Sequence, residues 1–468
     1  MTASIHALTA LPLSASLLSG GADTIVARAT AEGRGALAIL RVSGPRAFAI
    51  AHALGIETLT PRVATRVSLR DSSDGQALDD AVATCFVGPH SYTGEDVLEL
   101  STHGGQVVPL TVQRACIAAG ARLALPGEFS RRAVLNGRMD LLQAEAVADL
   151  IDARTSAMQR QALAQLDGGL SRRFLALRDE VILLEALLAY DIDFPGEDDG
   201  PLERGRITDG AVSLLAALDA LLATVPRATI NRDGALVVIA GPTNAGKSSL
   251  FNALLGESRA LVTPIAGTTR DAIEAVLDRR PTPVRFVDTA GLRETDDIIE
   301  KLGIEVSTRY LAKARVVLAC GSTLDDVART VDAMVGRTEG VIIPVFTKAD
   351  TRAQSAADTP VRWQIVSAES GVGLAELLTT IDMAVATDSG LTSQCGEIML
   401  TRERHRVGIT LARDEIAQFL SAWRSDTLPA TVIAVHLQEA RDALAGVVGV
   451  IGTDDVLDRV FREFCIGK

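Results

Sequence analysis

The chain has 468 residues, 47% hydrophobic and 22% charged, which is enough apolar sequence for about two to four cored domains. With 59 acidic against 46 basic residues the formal net charge is −13, which excludes a chain that coats nucleic acid by bulk counterion release. No stretch approaches the roughly 18–20 uncharged apolar residues of a bilayer span, and no Cys pattern of the CxxC kind supports a zinc site or disulfide framework.

Residues 1–20 are apolar and Ser-rich but lack Lys or Arg, so they read as a flexible extension instead of a secretory signal. Residues 21–138 read as mixed α and β. Short β-like runs at Thr24–Ala27, Ala36–Val42, Ala81–Val87 and Val97–Leu100 are separated by Gly, Pro and Ser. From Met139 the texture becomes helical. Leu141, Leu142, Ala146, Val147, Leu150 and Ile151 share a helical face, and the pattern continues through Arg173–Tyr190 and Ile207–Ala223. The Asp193–Pro201 loop interrupts it.

Residues 233–387 then alternate strand and helix. Leu236–Ala240, Val284–Val287, Val316–Ala319, Ile342–Phe346 and Gln364–Val366 are buried-type strands, with helices between them that imply crossovers and a parallel sheet. Helices resume at 388–468, with Glu403–Trp423, Val432–Ala445 and Asp454–Phe464. The expected organisation is therefore α/β plus all-α: an extension (1–20), an α+β domain (21–138), and a helical domain split into 139–232 and 388–468 around an inserted α/β unit (233–387). Arg402, Arg404 and Arg406 form a small basic cluster on an otherwise acidic chain, read as a solvated helix face or, alternatively, as a local point of RNA contact. The five scattered cysteines (Cys85, Cys116, Cys320, Cys395, Cys465) point to a reducing, cytoplasmic setting.

The inserted unit carries a nucleotide site. Gly241, Gly246, Lys247 and Ser248 fit GxxxxGK[ST] between an apolar strand and a helix. Backbone N–H groups of such a loop turn inward around phosphates at the positive end of the helix, so Asn244, Ala245, Gly246, Lys247, Ser248 and Ser249 would line them. Lys247 would reach the β and γ phosphates, and Ser248 would ligate Mg²⁺. Asp288, Thr289, Ala290 and Gly291 end a second strand, where Asp288 would hold Mg²⁺ through water and the Gly291 amide would sense the γ-phosphate. Thr269 would be the second Mg²⁺ hydroxyl.

Thr347, Lys348 and Asp350 follow the strand Ile342–Phe346. A carboxylate at Asp350 accepts both guanine donors, which adenine does not present, so the site selects GTP. Ser367 and Ala368 would close over the base. This is the motif set of a Ras-like GTPase, with two departures. Thr347 stands where Asn is usual, from which a looser nucleotide is expected. Leu292 stands where Ras-type enzymes place the water-orienting Gln, and Glu300 is the candidate replacement. No arginine finger is identifiable; Asn244 and the 263–269 segment could instead hold a monovalent cation against the phosphates. These motifs alone fit a regulatory switch in ribosome or RNA assembly as well as an enzyme subunit.

Further stretches decide between the two. Asp23–Ala27, Gly33–Gly35, Tyr92–Leu100, His103–Gly105, Pro126–Ser130, Asp140–Ala146 and the terminal Cys465–Lys468 resemble the tRNA-modification GTPase family MnmE (TrmE), of the TrmE-Era-EngA-YihA-Septin-like superfamily. The resemblance covers 21–468. It implies an N-terminal folate-binding domain similar to aminomethyltransferases that mediates a homodimer, a discontinuous helical domain, and a G domain activated by dimerisation with K⁺ bound. It further implies work with the flavoprotein MnmG, in a heterotetramer or larger complex, on C5 of the wobble uridine of certain tRNAs, away from any membrane. A tetrahydrofolate derivative (5-formyl- or methylene-tetrahydrofolate) would supply the one-carbon unit. Matched residue by residue, the folate contacts fall on Arg41, Glu99, Arg138 (Lys in the family) and Lys468. The K⁺ ligands fall on Asn244, Thr263, the Ile265 carbonyl and Thr268, and the catalytic positions on Glu300 and, with Lys247, Cys465.

Overall fold

The computed structural model describes residues 23–153, 155–193, 204–257, 273–278, 282–288, 310–350, 363–388, 399–426, 428–449, 460–461, 464 and 467. The expected extension 1–20 and most of the expected loop 193–201 lie outside them. The chain divides into two compact units, Met1–Ala148 with Val448–Lys468, and Asp149–Val447.

The first unit is built on a six-stranded sheet in the order β3-β4-β5-β2-β1-β6. Its strands are β1 (Ile25–Arg28), β2 (Leu37–Ser43), β3 (Thr65–Arg70), β4 (Ala77–Phe86), β5 (Val97–His103) and β6 (Arg122–Leu123). Neighbours run antiparallel except β1 and β6. Side chains alternate between faces with period two. Leu40, Val42, Leu98 and Leu100 bury one face against α1 (Ala47–Ala53) and α2 (Val107–Ala118). Ile25 and Ala27 of β1 pack on the other face with Phe129 of α3 (Glu128–Leu135), next to Tyr92. β3 was not expected from the sequence: its Arg and Ser alternate with Val67 and Leu69, of which only Leu69 is buried, as suits an edge strand.

Of the helix expected at 454–464, the described residues Val460, Phe461 and Phe464 bury themselves against Leu141 and Ala144 of α4 (Leu141–Asp152). The chain end lies against β1. A Cβ on Gly467, whose φ is +100°, would stand 2.2 Å from the Arg28 carbonyl oxygen, so no side chain fits there.

The second unit opens with helices α5 (Ser156–Leu166), α6 (Gly169–Asp193), α7 (Arg204–Leu222) and α8 (Val225–Asp233). Residues 204–233 are long and apolar enough to cross a membrane by length and a mean hydropathy of 1.5. In the fold, however, Ile207, Ala211, Leu214, Leu218 and Leu221 recur at helical spacing as one buried face, the pattern of a bundle helix.

A second sheet follows in the order β12-β11-β10-β7-β9-β8. Its strands are β7 (Ala235–Ala240), β8 (Ile273–Leu277), β9 (Val284–Asp288), β10 (Val316–Gly321), β11 (Val341–Phe346) and β12 (Gln364–Ile365). Helices α9 (Lys247–Glu257), α10 (Leu324–Met334) and α11 (Leu374–Asp388) connect them. β7 and β10 are buried at every residue, hence their continuous apolar sequence. The five strands expected from the sequence pair parallel, and a sixth, β8, is added at the edge, antiparallel to β9. Residues 273–277, with a central Glu and Ala, carry no strand signal strong enough to read alone.

The helices α12 (Glu403–Ser425) and α13 (Ala430–Val448) complete the unit. The returning chain is stitched to the helices before the sheet. Leu400 N–H donates to Thr224 Oγ1 (3.1 Å), Arg232 to the Thr401 carbonyl (3.3 Å), and Gln165 of α5 to Thr401 Oγ1 (3.2 Å). Arg402 pairs with Asp149 at 2.6 Å.

Candidate functional site

The phosphate loop leaves the carboxyl end of β7, beside the point where strand order reverses, which is the usual ligand position in such sheets. Gly241 has φ +153°, and a Cβ there would stand 2.4 Å from the Cys320 carbonyl oxygen of β10, so only glycine lets the loop start so close to the neighbouring strand. Asn244 takes a left-handed conformation (φ +62°), which turns the loop back toward α9. Ala245 is buried, and Lys247 opens α9 with its side chain mostly buried and Nζ donating to the Pro242 carbonyl at 2.7 Å. Ser248 and Ser249 stand exposed on the first turn of α9.

The guanine-side loop is joined to this one. Thr347, 3% exposed, donates its hydroxyl hydrogen to the Ala245 carbonyl (2.6 Å), with the Gly321 carbonyl also in reach at 3.0 Å. The looser nucleotide expected from losing Asn therefore meets a counterweight: threonine ties the loop after β11 to the phosphate loop. Lys348 (φ +58°) lays its stem across the same loop, its Cε 3.6 Å from where a Cβ on Gly246 would stand.

Asp350 Oδ1 accepts from Ser367 Oγ at 2.5 Å. That bond, more than any other influence, holds the Asp350 carboxyl below the usual carboxylate range. Ser367 is fully buried and its oxygen also accepts from Ser370 N–H (3.2 Å), while Ala349 N–H reaches the Val366 carbonyl (3.2 Å). Ala368 follows, half-buried. The structure thus brings Asn244, Ala245, Gly246, Lys247, Ser248, Ser249, Thr347, Lys348, Asp350, Ser367 and Ala368 to one end of one sheet. Asp288 ends β9 in register with Ile239 of β7. Thr263, Ile265, Thr268, Thr269, Thr289, Ala290, Gly291, Glu300, Cys465 and Lys468 lie outside the described residues.

In the first unit Arg41 and Glu99 stand directly opposite on β2 and β5. Matched to the family they would make separate ligand contacts; in the structure they pair with each other. Arg41 Nε donates to Glu99 Oε1 at 2.9 Å and Nη2 lies 2.8 Å from the same oxygen, with side chains 20% and 25% exposed. The guanidinium carbon is 4.9 Å from the Tyr92 ring centroid and 5.7 Å from that of Phe129. Arg138 Nε donates to the Ser91 carbonyl (3.2 Å), so Arg138 lies along the same 91–96 loop.

Beneath that loop is a charge network the sequence reading missed. Arg132, 6% exposed, reaches Asp23 (2.7 Å), Glu95 (3.1 Å) and Glu128 (3.0 Å). Arg122 joins Asp23 and Glu128, each at 2.5 Å. Ser43 links Glu95 (2.7 Å) and Thr93 (2.7 Å). Burial alone would raise the Asp23 and Glu128 carboxyls, yet the two arginines hold both below the ordinary range. Asp23, Glu95 and Glu128 all sit in stretches that carry the family resemblance, which was the available signal.

The basic cluster expected near residue 400 is engaged within the chain. Arg402 pairs with Asp149, Arg404 donates to the Gly446 and Val447 carbonyls at the end of α13 (3.2 and 2.9 Å), and Arg406 pairs with Glu403. Cys85 and Cys116 are buried; burial pushes the Cys116 thiol up to about 12, so it is no nucleophile near neutral pH.

Two families match this chain: the one described as GTP-binding protein TrmE N-terminus, over residues 24–138, and the MnmE helical domain, over residues 141–465. A protein of Azoarcus sp. (strain BH72) named tRNA modification GTPase MnmE is 40% identical over 95% of this chain and 98% of its own length. One of the same name from Neisseria meningitidis serogroup C (strain 053442) is 39% identical over 96% of this chain and 100% of its own. Among solved structures, the G domain of the T. maritima FeoB iron transporter aligns with 32% of this chain at 24% identity and a TM-score of 0.24.

Proposed function

The chain belongs to the MnmE family of tRNA modification GTPases, and from that premise we propose that it is the GTP-hydrolysing subunit of a complex that installs an aminomethyl-type group at C5 of the wobble uridine of certain tRNAs. The observation that supports this best is the joined phosphate and guanine loops: Lys247 at the head of α9, Asp350 pre-positioned by Ser367, and Thr347 holding the two loops together.

In this reading Lys247 meets the β and γ phosphates, and Ser249 and the amides of Asn244–Ser248 cradle the phosphate chain. Asp350 takes both guanine donors, with Lys348, Ser367 and Ala368 bounding the base. Ser248 and Thr269 hold Mg²⁺ with Asp288 behind a water. Asn244, Thr263, the Ile265 carbonyl and Thr268 hold K⁺. The exposed Ser248 and the exposed polar residue Asn244, in its left-handed turn, suit such ions. Cations so placed neutralise charge that develops on the phosphoryl oxygens. Thr289, Ala290 and the Gly291 amide face the γ-phosphate, and Glu300 orients the attacking water, a task Leu292 cannot perform.

The Arg41–Glu99 pair, flanked by Tyr92 and near Arg138, suits one end of a tetrahydrofolate derivative. The Glu99 carboxylate serves the pterin donor edge, with Arg41 holding that carboxylate and an aromatic ring beside them, and the Arg138 guanidinium serves the ligand's carboxylates. Lys468 adds an ammonium, and Cys465 takes part in the chemistry of the tail. The working protein is a cytoplasmic homodimer through residues 21–138, with a helical domain (139–232 and 388–468) around a G domain (233–387). It joins the flavoprotein MnmG in a heterotetramer or larger complex on tRNA, with no membrane involved.

The test is turnover of GTP and of ATP by the purified chain in KCl and in NaCl. Hydrolysis of GTP alone, faster in KCl, is expected. Equal rates in the two salts would remove the cation-activated mechanism, and equal use of ATP would remove the role of Asp350.

A further inference from the structure

Among the described residues, a side-chain contact joins the edge of the nucleotide-bearing sheet to the helices that precede it. Asp278, the residue after β8, accepts from the Ser156 backbone N–H (3.0 Å at Oδ2) and from the Ser156 hydroxyl (3.2 Å at Oδ1). Ser156 is the first residue of α5. Thr155 caps the same helix, its Oγ1 accepting from Met158 N–H (3.2 Å) and its carbonyl from Gln159 N–H (3.0 Å). The side chain of Asp278 therefore supplies what Thr155 cannot: a partner for the first helical amide, and a negative charge at the positive end of the helix.

The placement of Asp278 gives this contact a direction. β8 and β9 form an antiparallel ribbon at the edge of the sheet, β8 outermost and β9 bonded on to β7, with Ile273 opposite Asp288 at one end and Leu277 opposite Val284 at the other. Asp288 lies at the phosphate end of the sheet, paired with Ile239 of β7. Asp278 lies just beyond the far end, five residues and roughly 17 Å from Ile273 along the strand. The segment that runs into β8 in sequence carries Thr263, Thr268 and Thr269, and the segment that leaves β9 carries Gly291 and Glu300, so both ends of the ribbon's nucleotide side connect to residues assigned to GTP. At its other end α5 is held too: Gln165 donates to Thr401 Oγ1, where the chain returns from the sheet. α5 is thus a strut of eleven residues, about 16 Å long, fastened at each end to a residue flanking the inserted sheet.

We propose that the β8–β9 ribbon is a lever and Asp278 its bearing on α5, so that a change of nucleotide state displaces the far end of the ribbon and loosens or tightens the first turn of α5. The proposal rests on the GTPase reading and extends it to the coupling of hydrolysis to the helical region. A displacement of about 1 Å suffices, because a hydrogen bond at 3.0 Å is largely lost by 4 Å. Asp278 touches no nucleotide; it is a positioning residue.

The experiment is amide hydrogen exchange on the full-length chain in KCl, with GDP and with GDP plus aluminium fluoride, read at the first turn of α5. The wild type should show at least a threefold difference in exchange there between the two states. Asp278→Ala should abolish that difference while GTP turnover stays within twofold. Ser156→Pro breaks the same bond from the other side and is compatible with the helix, since proline suits the first helical position and Thr155 is already extended (φ −133°, ψ 155°). It should behave as Asp278→Ala does. No nucleotide dependence at α5 in the wild type, or a dependence that survives both substitutions, would overturn the lever. A wild type that turns over no GTP would instead overturn the GTPase reading on which it rests.

Discussion

Replacing Thr347 by valine removes one hydroxyl and changes little else. Thr347 is 3% exposed, so valine, of nearly the same shape, fills its place without a cavity. The Gly321 carbonyl keeps a partner, because Thr347 N–H donates to it at 2.9 Å. The Ala245 carbonyl loses the 2.6 Å bond that fixes the phosphate loop to the guanine loop. A lost neutral hydrogen bond costs about 0.5–1.5 kcal/mol, and a buried acceptor left without a partner about 1–3 kcal/mol. Because the two loops must be aligned when nucleotide binds, most of that cost should appear in affinity, as a weakening of about 5- to 100-fold for GTP and GDP alike. Titration of a fluorescent guanine nucleotide reads it directly, with a thermal melt to show that the fold persists. Thr347→Asn, which can donate to the same carbonyl, should stay within a few-fold of wild type. A Thr347→Val affinity within twofold of wild type would refute the clamp.

Asp350→Asn should exchange base preference, since an amide can donate to the C2 carbonyl of xanthine where the carboxylate accepted from guanine; competition of XTP against GTP measures it, and unchanged GTP preference would dissociate Asp350 from base recognition. Asp23 and Glu128 have lowered carboxyl pKa values in the fold, so their contribution to stability is full above their unfolded values of about 3.9 and 4.3 and is lost as pH falls through the lower folded values. The protection factors of the Arg122 and Ala124 amides, bonded to the Thr24 and Val26 carbonyls, should therefore fall below about pH 4 once the intrinsic pH dependence of exchange is divided out. Arg132→Ala should cost about 3–5 kcal/mol at neutral pH by taking the guanidinium away from the largely buried Glu95, while Asp23 and Glu128 keep Arg122, read in the same amides. Glu300→Ala should leave GTP binding intact and abolish turnover, and loss of binding would contradict its catalytic assignment.

The sequence carried much of this architecture because its signals were local. β7 and β10 are buried on both faces, so their apolar runs could be nothing but central strands, and the loop after β7 is defined by residues within eight positions. The edge strand β3 and the antiparallel β8 escaped because an edge strand is half polar and a five-residue ribbon strand has too short a pattern to distinguish from a helix turn. Long-range pairings were invisible for a different reason. Thr347 meets Ala245 across 102 positions and Arg132 meets Asp23 across 109. Nothing in either neighbourhood marks the partner. Arg41 and Glu99 were named one by one, but only strand register shows that they face each other. The partners of Arg402 and Arg404, namely Asp149 and the Gly446 and Val447 carbonyls, are likewise distant in sequence, whereas Arg406 pairs locally with Glu403.

The central claim, a GTPase whose hydrolysis serves tRNA modification, is tested most directly by nucleoside mass spectrometry of tRNA from cells lacking this chain, complemented with the wild type or with Glu300→Ala. The account predicts that C5-substituted wobble uridine disappears on deletion, returns with the wild-type copy, and stays absent with the substituted one. Unchanged nucleosides on deletion would contradict it and leave a GTPase with another task.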